Sequence, residues 1–167
     1  MKTTPPTRPF RILFVCLGNI CRSPAAEIVC RAALAEAGLD GQVQVDSCGT
    51  ASYHTGSRPD ARMLAALERA GFAYGGHRAR TLRRADAAEF DLIIPQDREN
   101  LRDVLAVFPA EAAAKVRPMS EWFPAGETRC EVPDPYYGGA EGFDDVVQLL
   151  RGAAQQLVHE LIRKELQ

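Results

Sequence analysis

The chain has 167 residues, with 20 Lys and Arg against 22 Asp and Glu and a formal charge of −2. Apolar residues make up 46 % and charged residues 25 %, which is globular composition and excludes a disordered chain. The near-neutral balance argues against a general polyanion binder, and no apolar run reaches the roughly 20 residues of a membrane helix. The first nine residues hold three prolines and no apolar segment. They read as a flexible lead over residues 1–9 and not as a signal peptide, with one domain expected over 10–167. A cytoplasmic location follows as an expectation. The five cysteines are then free thiols, catalysts or metal ligands sooner than a disulfide framework.

In chain order, Arg11 to Val15 is a continuous apolar run, which fits a strand covered on both faces. Cys16 to Ser23 is a loop. A helix is predicted from Pro24 to Ala37, with Ser23 as its N-cap and Gly38 as its stop. Val43 to Ser47 is predicted as the second strand, and Asp60 to Ala70 as a helix closed by Gly71. Phe90 to Ile94 is the third strand, followed by a helix from about Asp97 to Leu105, and Lys115 to Pro118 a shorter fourth strand. From Phe143, the positions Val147, Leu150, Ala154, Leu157 and Leu161 define a long amphipathic helix, weakened at Gly152. This alternation predicts a single three-layer α/β domain of flavodoxin-like type. Its expected core is a four-stranded parallel sheet, order 2-1-3-4, with helices on both faces. Ligands of such sheets bind beyond the C-terminal strand ends, where Cys16 falls.

The loop itself, Cys16-Leu17-Gly18-Asn19-Ile20-Cys21-Arg22-Ser23-Pro24, carries the chemistry. Five residues between Cys16 and Arg22 let the backbone curl round one tetrahedral anion, with N–H groups inward and a helix start behind. Gly18 and Asn19 tolerate the positive φ such a curl needs. Arg22 offers a bidentate fork to phosphate oxygens, and the same field favours a Cys16 thiolate, to which Ser23 could donate. Cys16 alone would equally read as a buried cysteine ending a strand; the nine-residue string does not. Farther on, Asp134 stands between Pro133 and Pro135, a stiff exposed loop suited to a poised acid and, taken alone, also to a plain turn.

Residues Cys16 to Pro24 resemble the phosphate-binding loop of the low-molecular-weight protein tyrosine phosphatase family. Asp46 to Thr50, Gly56 to Arg62, His77 to Arg80 and Val132 to Gly138 match further segments of that family in order. The resemblance implies attack by Cys16 on phosphorus to form a phosphocysteine, with Arg22 and the amides of Leu17 to Ser23 holding the oxygens. It implies that Asp134 is the general acid, and that Asn19 orders the loop with Ser23, Ser47 and His77 in support. It pairs Cys21 with Cys16 for reversible oxidation, and loop proximity makes that disulfide feasible. Tyr53, Tyr136 and Tyr137 are the aromatics nearest the motifs and candidates for the walls of a phosphotyrosine slot. The implied partners are a phosphotyrosine protein or peptide and inorganic phosphate as product and inhibitor; a cognate tyrosine kinase is a further candidate, with Tyr137 or Tyr136 as residues it could modify. No cofactor or metal is expected, since Arg22 and amides meet the phosphate charge.

Three alternatives share the loop. A protein-arginine phosphatase of this family carries Thr where Ile20 stands. An arsenate reductase needs relay cysteines on a mobile segment, and Arg78 to Pro95 has none. A non-catalytic phosphoprotein-binding module would be expected to lose one of Cys16, Arg22 and Asp134. The basic stretch Arg78 to Arg84 lacks interleaved aromatics, which argues against nucleic acid and for a solvated face or an acidic phosphopeptide. Pro95-Gln96 departs from the family pattern of a small residue then Met before Asp.

Overall fold

The computed structural model describes residues 8–164. Its sheet holds β1 (Phe10–Cys16), β2 (Val43–Gly49) and β3 (Leu92–Pro95) in the order β2-β1-β3, all parallel. The helices are α1 (Arg22–Glu36), α2 (Ala61–Arg69), the single turn α3 (Asp86–Glu89), α4 (Arg98–Val107) and α5 (Ala140–Lys164). The continuous apolar run of β1 has the expected cause. Ile12 and Phe14 face a core with α1, α2 and α5, while Leu13 and Val15 face a second core with Phe90, Val104 and Phe108. Helices therefore cover both faces of a three-layer α/β fold.

The fourth strand is a correction. Val116 makes one parallel bridge to Ile93, with Arg117 N donating to Ile93 O at 2.9 Å, and the pairing stops there. The next donor on that side of β3 would be Pro95, which has no N–H. The sheet is thus three-stranded, with the bridge where the fourth strand was expected. Of the expected lead over 1–9, residues 1–7 lie outside the described residues. Arg8 is held by both guanidinium nitrogens to the Asp91 carboxylate, each at 2.8 Å.

Local signals set most boundaries. Asp60 caps α2 by accepting from Arg62 N at 2.8 Å, and Asp97 caps α4 by accepting from Asn100 N at 2.7 Å. Gly38, at φ 74°, ends α1 as expected. The start of α1 differs: the helix begins at Arg22 after Cys21, with no side-chain cap, and Ser23 sits in its first turn. Helix α1 is alanine-rich and buried from Arg22 to Cys30, because it lies between the sheet and α5. Helix α5 runs unbroken through Gly152, where a Cβ would stand 2.8 Å from Pro124 Cγ. Glycine there is what lets the 124 segment approach, so the expected weakness has a packing reason.

Candidate active site

The loop from Leu17 to Cys21 joins β1 to α1 at the C-terminal edge of the sheet. Its foot is pinned from outside. Thr50 N donates to Cys16 O and Ala51 N to Leu17 O, both at 2.9 Å, and Asp60 N donates to Ile20 O at 2.8 Å. The approach of β2 is so close that a Cβ on Gly49 would lie 2.7 Å from Leu17 O. Asn19 takes the left-handed turn at φ 58°; Gly18, the other residue expected to serve there, does not.

Cys16 is 3 % exposed. Its Sγ accepts from Asn19 N at 3.3 Å and lies 3.0 Å from Ser23 Oγ. Ser23 lies inside the first turn of α1, past its cap at Cys21, and its hydroxyl is turned inward to the sulfur. Asn19 then ties the loop together from one buried side chain. Its Nδ2 donates to Ser23 Oγ at 2.8 Å and Ser47 Oγ at 3.0 Å. Its Oδ1 accepts from Arg80 N at 3.0 Å and from His77 Nε2 at 2.8 Å. Ser47 donates onward to Glu27 Oε1 at 2.7 Å, and His77 Nδ1 lies 3.3 Å from the same carboxylate. The structure therefore brings Asn19, Ser23, Ser47 and His77 into one network.

Arg22 is 3 % exposed. Its Nη1 donates to Asp97 Oδ2 at 2.6 Å and to Val132 O at 3.2 Å, and its Nη2 lies 3.6 Å from Asp134 Oδ2. Burial works against its charge, but Cys16, Asp97 and Asp134 outweigh that and hold its pKa above the ordinary value. Asp134 is exposed, and its Oδ1 accepts from Tyr136 N at 3.1 Å. The loop bearing it is held to the start of α4, where Gln96 O accepts from Val132 N at 3.0 Å and Arg98 N donates to Glu131 at 2.6 Å. Gln96 itself is buried, its Nε2 on Ile94 O and its Oε1 unpartnered among the described residues.

Burial pushes the Cys21 thiol up, with Asp60, Cys16 and Asp134 adding to the rise. Burial also pushes Cys30 up to about 12 and Cys48 well above the ordinary thiol value. Among the aromatics, Tyr136 packs edge-on against Tyr137 at 5.0 Å and faces His54 at 6.5 Å. Tyr53 is 78 % exposed and has no ring contact among the described residues.

Sequence reasoning missed Asp97, Glu27, His54 and Arg62. Asp97 showed only its capping signal, and Glu27 only a helical position. His54 packs over Gly18, where a Cβ would meet its ring at 3.0 Å, and Arg62 lies over the Tyr136 ring at 5.3 Å. Glu27, Asp46 and His77 place one ligand atom each within 4.8 Å of one another. Arg31 at 2.6 Å from Glu27 and Arg80 at 3.1 Å from Asp46 already balance the carboxylates, so the cluster is a charge network in support of the loop.

The chain matches the family model described as low molecular weight phosphotyrosine protein phosphatase over residues 11–167. It is 47 % identical to a putative low molecular weight protein-tyrosine-phosphatase of Synechocystis, over 90 % of this chain and 96 % of that one. It is 45 % identical to the low molecular weight phosphotyrosine protein phosphatase of Schizosaccharomyces pombe, over 83 % of this chain and 88 % of that one. Among solved structures, the protein tyrosine phosphatase of Entamoeba histolytica with Hepes in its active site superposes with a TM-score of 0.88 at 37 % identity. That alignment covers 92 % of this chain and 97 % of that one. The chain belongs to the low molecular weight phosphotyrosine protein phosphatase family.

Proposed function

We propose that the chain hydrolyses phosphotyrosine in proteins through a phosphocysteine intermediate. The observation that carries this reading is a buried sulfur facing an amide and a hydroxyl, in a loop whose arginine lies 3.6 Å from an exposed carboxylate. Cys16 Sγ attacks phosphorus, and the tyrosyl oxygen leaves with a proton from Asp134. Water then attacks phosphorus, Asp134 takes its proton, the P–S bond breaks and inorganic phosphate departs. Arg22 and the loop amides hold the nonbridging oxygens through both steps. When a phosphate enters, Arg22 keeps Asp97 on one nitrogen and turns the rest of its fork to the anion. His54 and Tyr136 form the slot walls in this reading, with Tyr53 outside it.

Phosphate is then both product and inhibitor, and a cognate tyrosine kinase and a cytoplasmic location fit the same reading. No described helix is long and apolar enough to cross a membrane. Cys21 serves as the thiol that captures Cys16 once peroxide has oxidised it to a sulfenic acid: the Cys21 sulfur attacks, water leaves and the disulfide forms, a step that burial of the Cys21 thiol slows. An apolar Ile20 at the loop suits an aryl ester better than a guanidinium phosphate. Cys30 and Cys48 are wholly buried, which disfavours an arsenate relay.

The test is turnover of an aryl phosphate. Cys16→Ser should abolish it while phosphate binding persists, and full activity in that variant overturns the mechanism. Asp134→Ala should slow a poor leaving group by roughly 10²–10⁴-fold and an activated one less; equal losses would make Asp134 structural.

A further inference from the structure

Three of the six large hydrophobic side chains that stand exposed among the described residues surround the cysteine loop. They are Leu17 at 39 %, Tyr53 at 78 % and Tyr137 at 93 %. Leu17 belongs to the loop, Tyr53 to the turn that begins where Ala51 N bonds Leu17 O, and Tyr137 to the segment after Asp134. Exposed tyrosines gathered on one rim mark a surface made for a polypeptide.

The far end of the Tyr53 turn is fastened to a second loop. Gly56 N donates to Ala79 O at 2.8 Å, and Ala79 N donates to Ser57 O at 2.9 Å. Arg58 and Arg78 flank this pairing, and both are exposed. Arg78 lies over the turn, 3.4 Å from Gly56 O, and Arg58 covers the Tyr74 ring at 5.1 Å. Neither has a carboxylate within ion-pair distance among the described residues. Their neighbours do: Arg62 pairs with Asp60, Arg80 with Asp46 and Asp86, and Arg83 with Asp86 and Glu89. Of the basic stretch seen in the sequence, Arg80 and Arg83 are therefore neutralised within the fold, while Arg78 and Arg84 are not, among the described residues. Arg84 lies by the end of α4, on Val107 O at 3.4 Å, which leaves Arg58 with Arg78 as the unpaired charge at the Tyr53 turn, beside the aromatic rim.

We propose that this surface docks the segment of a protein substrate that flanks its phosphotyrosine. Acidic side chains of that segment meet Arg58 and Arg78, and an apolar neighbour of the phosphotyrosine rests on Tyr53. The proposal rests on the phosphatase reading above and adds to it a sequence preference. Guanidinium forks receive carboxylates in bidentate geometry, and two unmatched cations also raise the encounter rate of an acidic peptide.

The experiment compares three phosphotyrosine peptides of one length, with acidic, neutral or basic flanks, and p-nitrophenyl phosphate, which has no flanks. The full chain is assayed beside the Arg58→Glu/Arg78→Glu and Arg58→Gln/Arg78→Gln variants. The wild type should prefer the acidic over the neutral peptide by roughly fivefold in kcat/KM at low salt, a preference that fades as salt is added. Charge reversal should invert the order, the Gln pair should erase it, and p-nitrophenyl phosphate should be turned over at an unchanged rate. Should the Glu pair fail to fold, the Gln pair decides. Equal rates on acidic and neutral peptides, or a preference that survives both variants, overturns the docking surface while leaving the phosphatase reading intact. No turnover of p-nitrophenyl phosphate by the wild type overturns both.

Discussion

Replacing Asn19 tests the support of the cysteine loop at one position. Its side chain has no exposed surface and makes four hydrogen bonds, two donated and two accepted. Its backbone stands at φ 58°, where an L residue with a plain Cβ is disfavoured by about 1 kcal/mol or more. In Asn19→Ala the Arg80 N–H loses its acceptor, at about 1–3 kcal/mol for a donor left unpaired, while His77 Nε2 keeps Ser47 Oγ at 3.2 Å. With the backbone penalty added, the loss comes to about 2–4 kcal/mol, a substantial part of the 5–15 kcal/mol typical of a domain. Asn19→Gly removes the same bonds but accepts the left-handed turn, so it should be the more stable of the two by about 1 kcal/mol. Asn19→Asp keeps the acceptor and loses the donors to Ser23 and Ser47. It should fold, yet place a negative charge near Cys16 and lower kcat. Urea denaturation at constant m measures the first two differences, and aryl phosphate turnover the third. An Asn19→Ala chain within about 1 kcal/mol of the wild type would refute the premise that this side chain carries the loop. Equal stability of the Ala and Gly variants would refute the backbone part of it.

Three further outcomes are expected. Asp97→Asn keeps an N-cap for α4 but gives up the charged bond to Arg22, so Tm should hold while kcat/KM falls roughly tenfold; unchanged kinetics would leave Asp97 a cap alone. Buried Asp86 titrates below the usual carboxylate range: burial alone would raise it, and Arg80 and Arg83 more than reverse that. Its contribution is present above the unfolded value of about 3.9 and lost as pH falls through the depressed one, so Asp86→Asn should weaken the fold at pH 7 and flatten its acid unfolding below about pH 4; parallel acid limbs would rule this out. Gly152→Ala gains about 1 kcal/mol of helix propensity but sets a Cβ 2.8 Å from Pro124 Cγ, so Tm should fall, and a rise would mean that Pro124 yields.

The features legible in the sequence are those decided within a few residues. Asp60 and Asp97 announced helix starts, Gly38 a helix end, and the run from Arg11 to Val15 a strand with apolar neighbours on both sides. The cysteine loop was legible for the same reason, since its cysteine, turn residue and arginine lie within seven positions. The fourth strand failed because pairing depends on the partner: Val116 has strand character and bridges Ile93, but Pro95, the next donor along β3, cannot donate. Tyr53 and His54 differ by one place in a turn, and only the packing over Gly18 selects the imidazole.

Ser23 and Asp97 show how local and distant uses of one residue type compete. Both are good N-cap residues at the edge of the sheet, but only Asp97 holds a cap position; Ser23 is the second residue of α1. Ser23 has one hydroxyl, and that hydroxyl faces Cys16 Sγ at 3.0 Å, while the cap position of α1, Cys21, makes no side-chain bond. Asp97 has two oxygens. Oδ1 caps Asn100 and Oδ2 reaches Arg22, 75 positions away in sequence. The short-range bond fixes the carboxylate, and the fixed carboxylate then orients the guanidinium. A capping signal that any helix could use thus becomes, through its second oxygen, part of how the guanidinium of Arg22 is aimed.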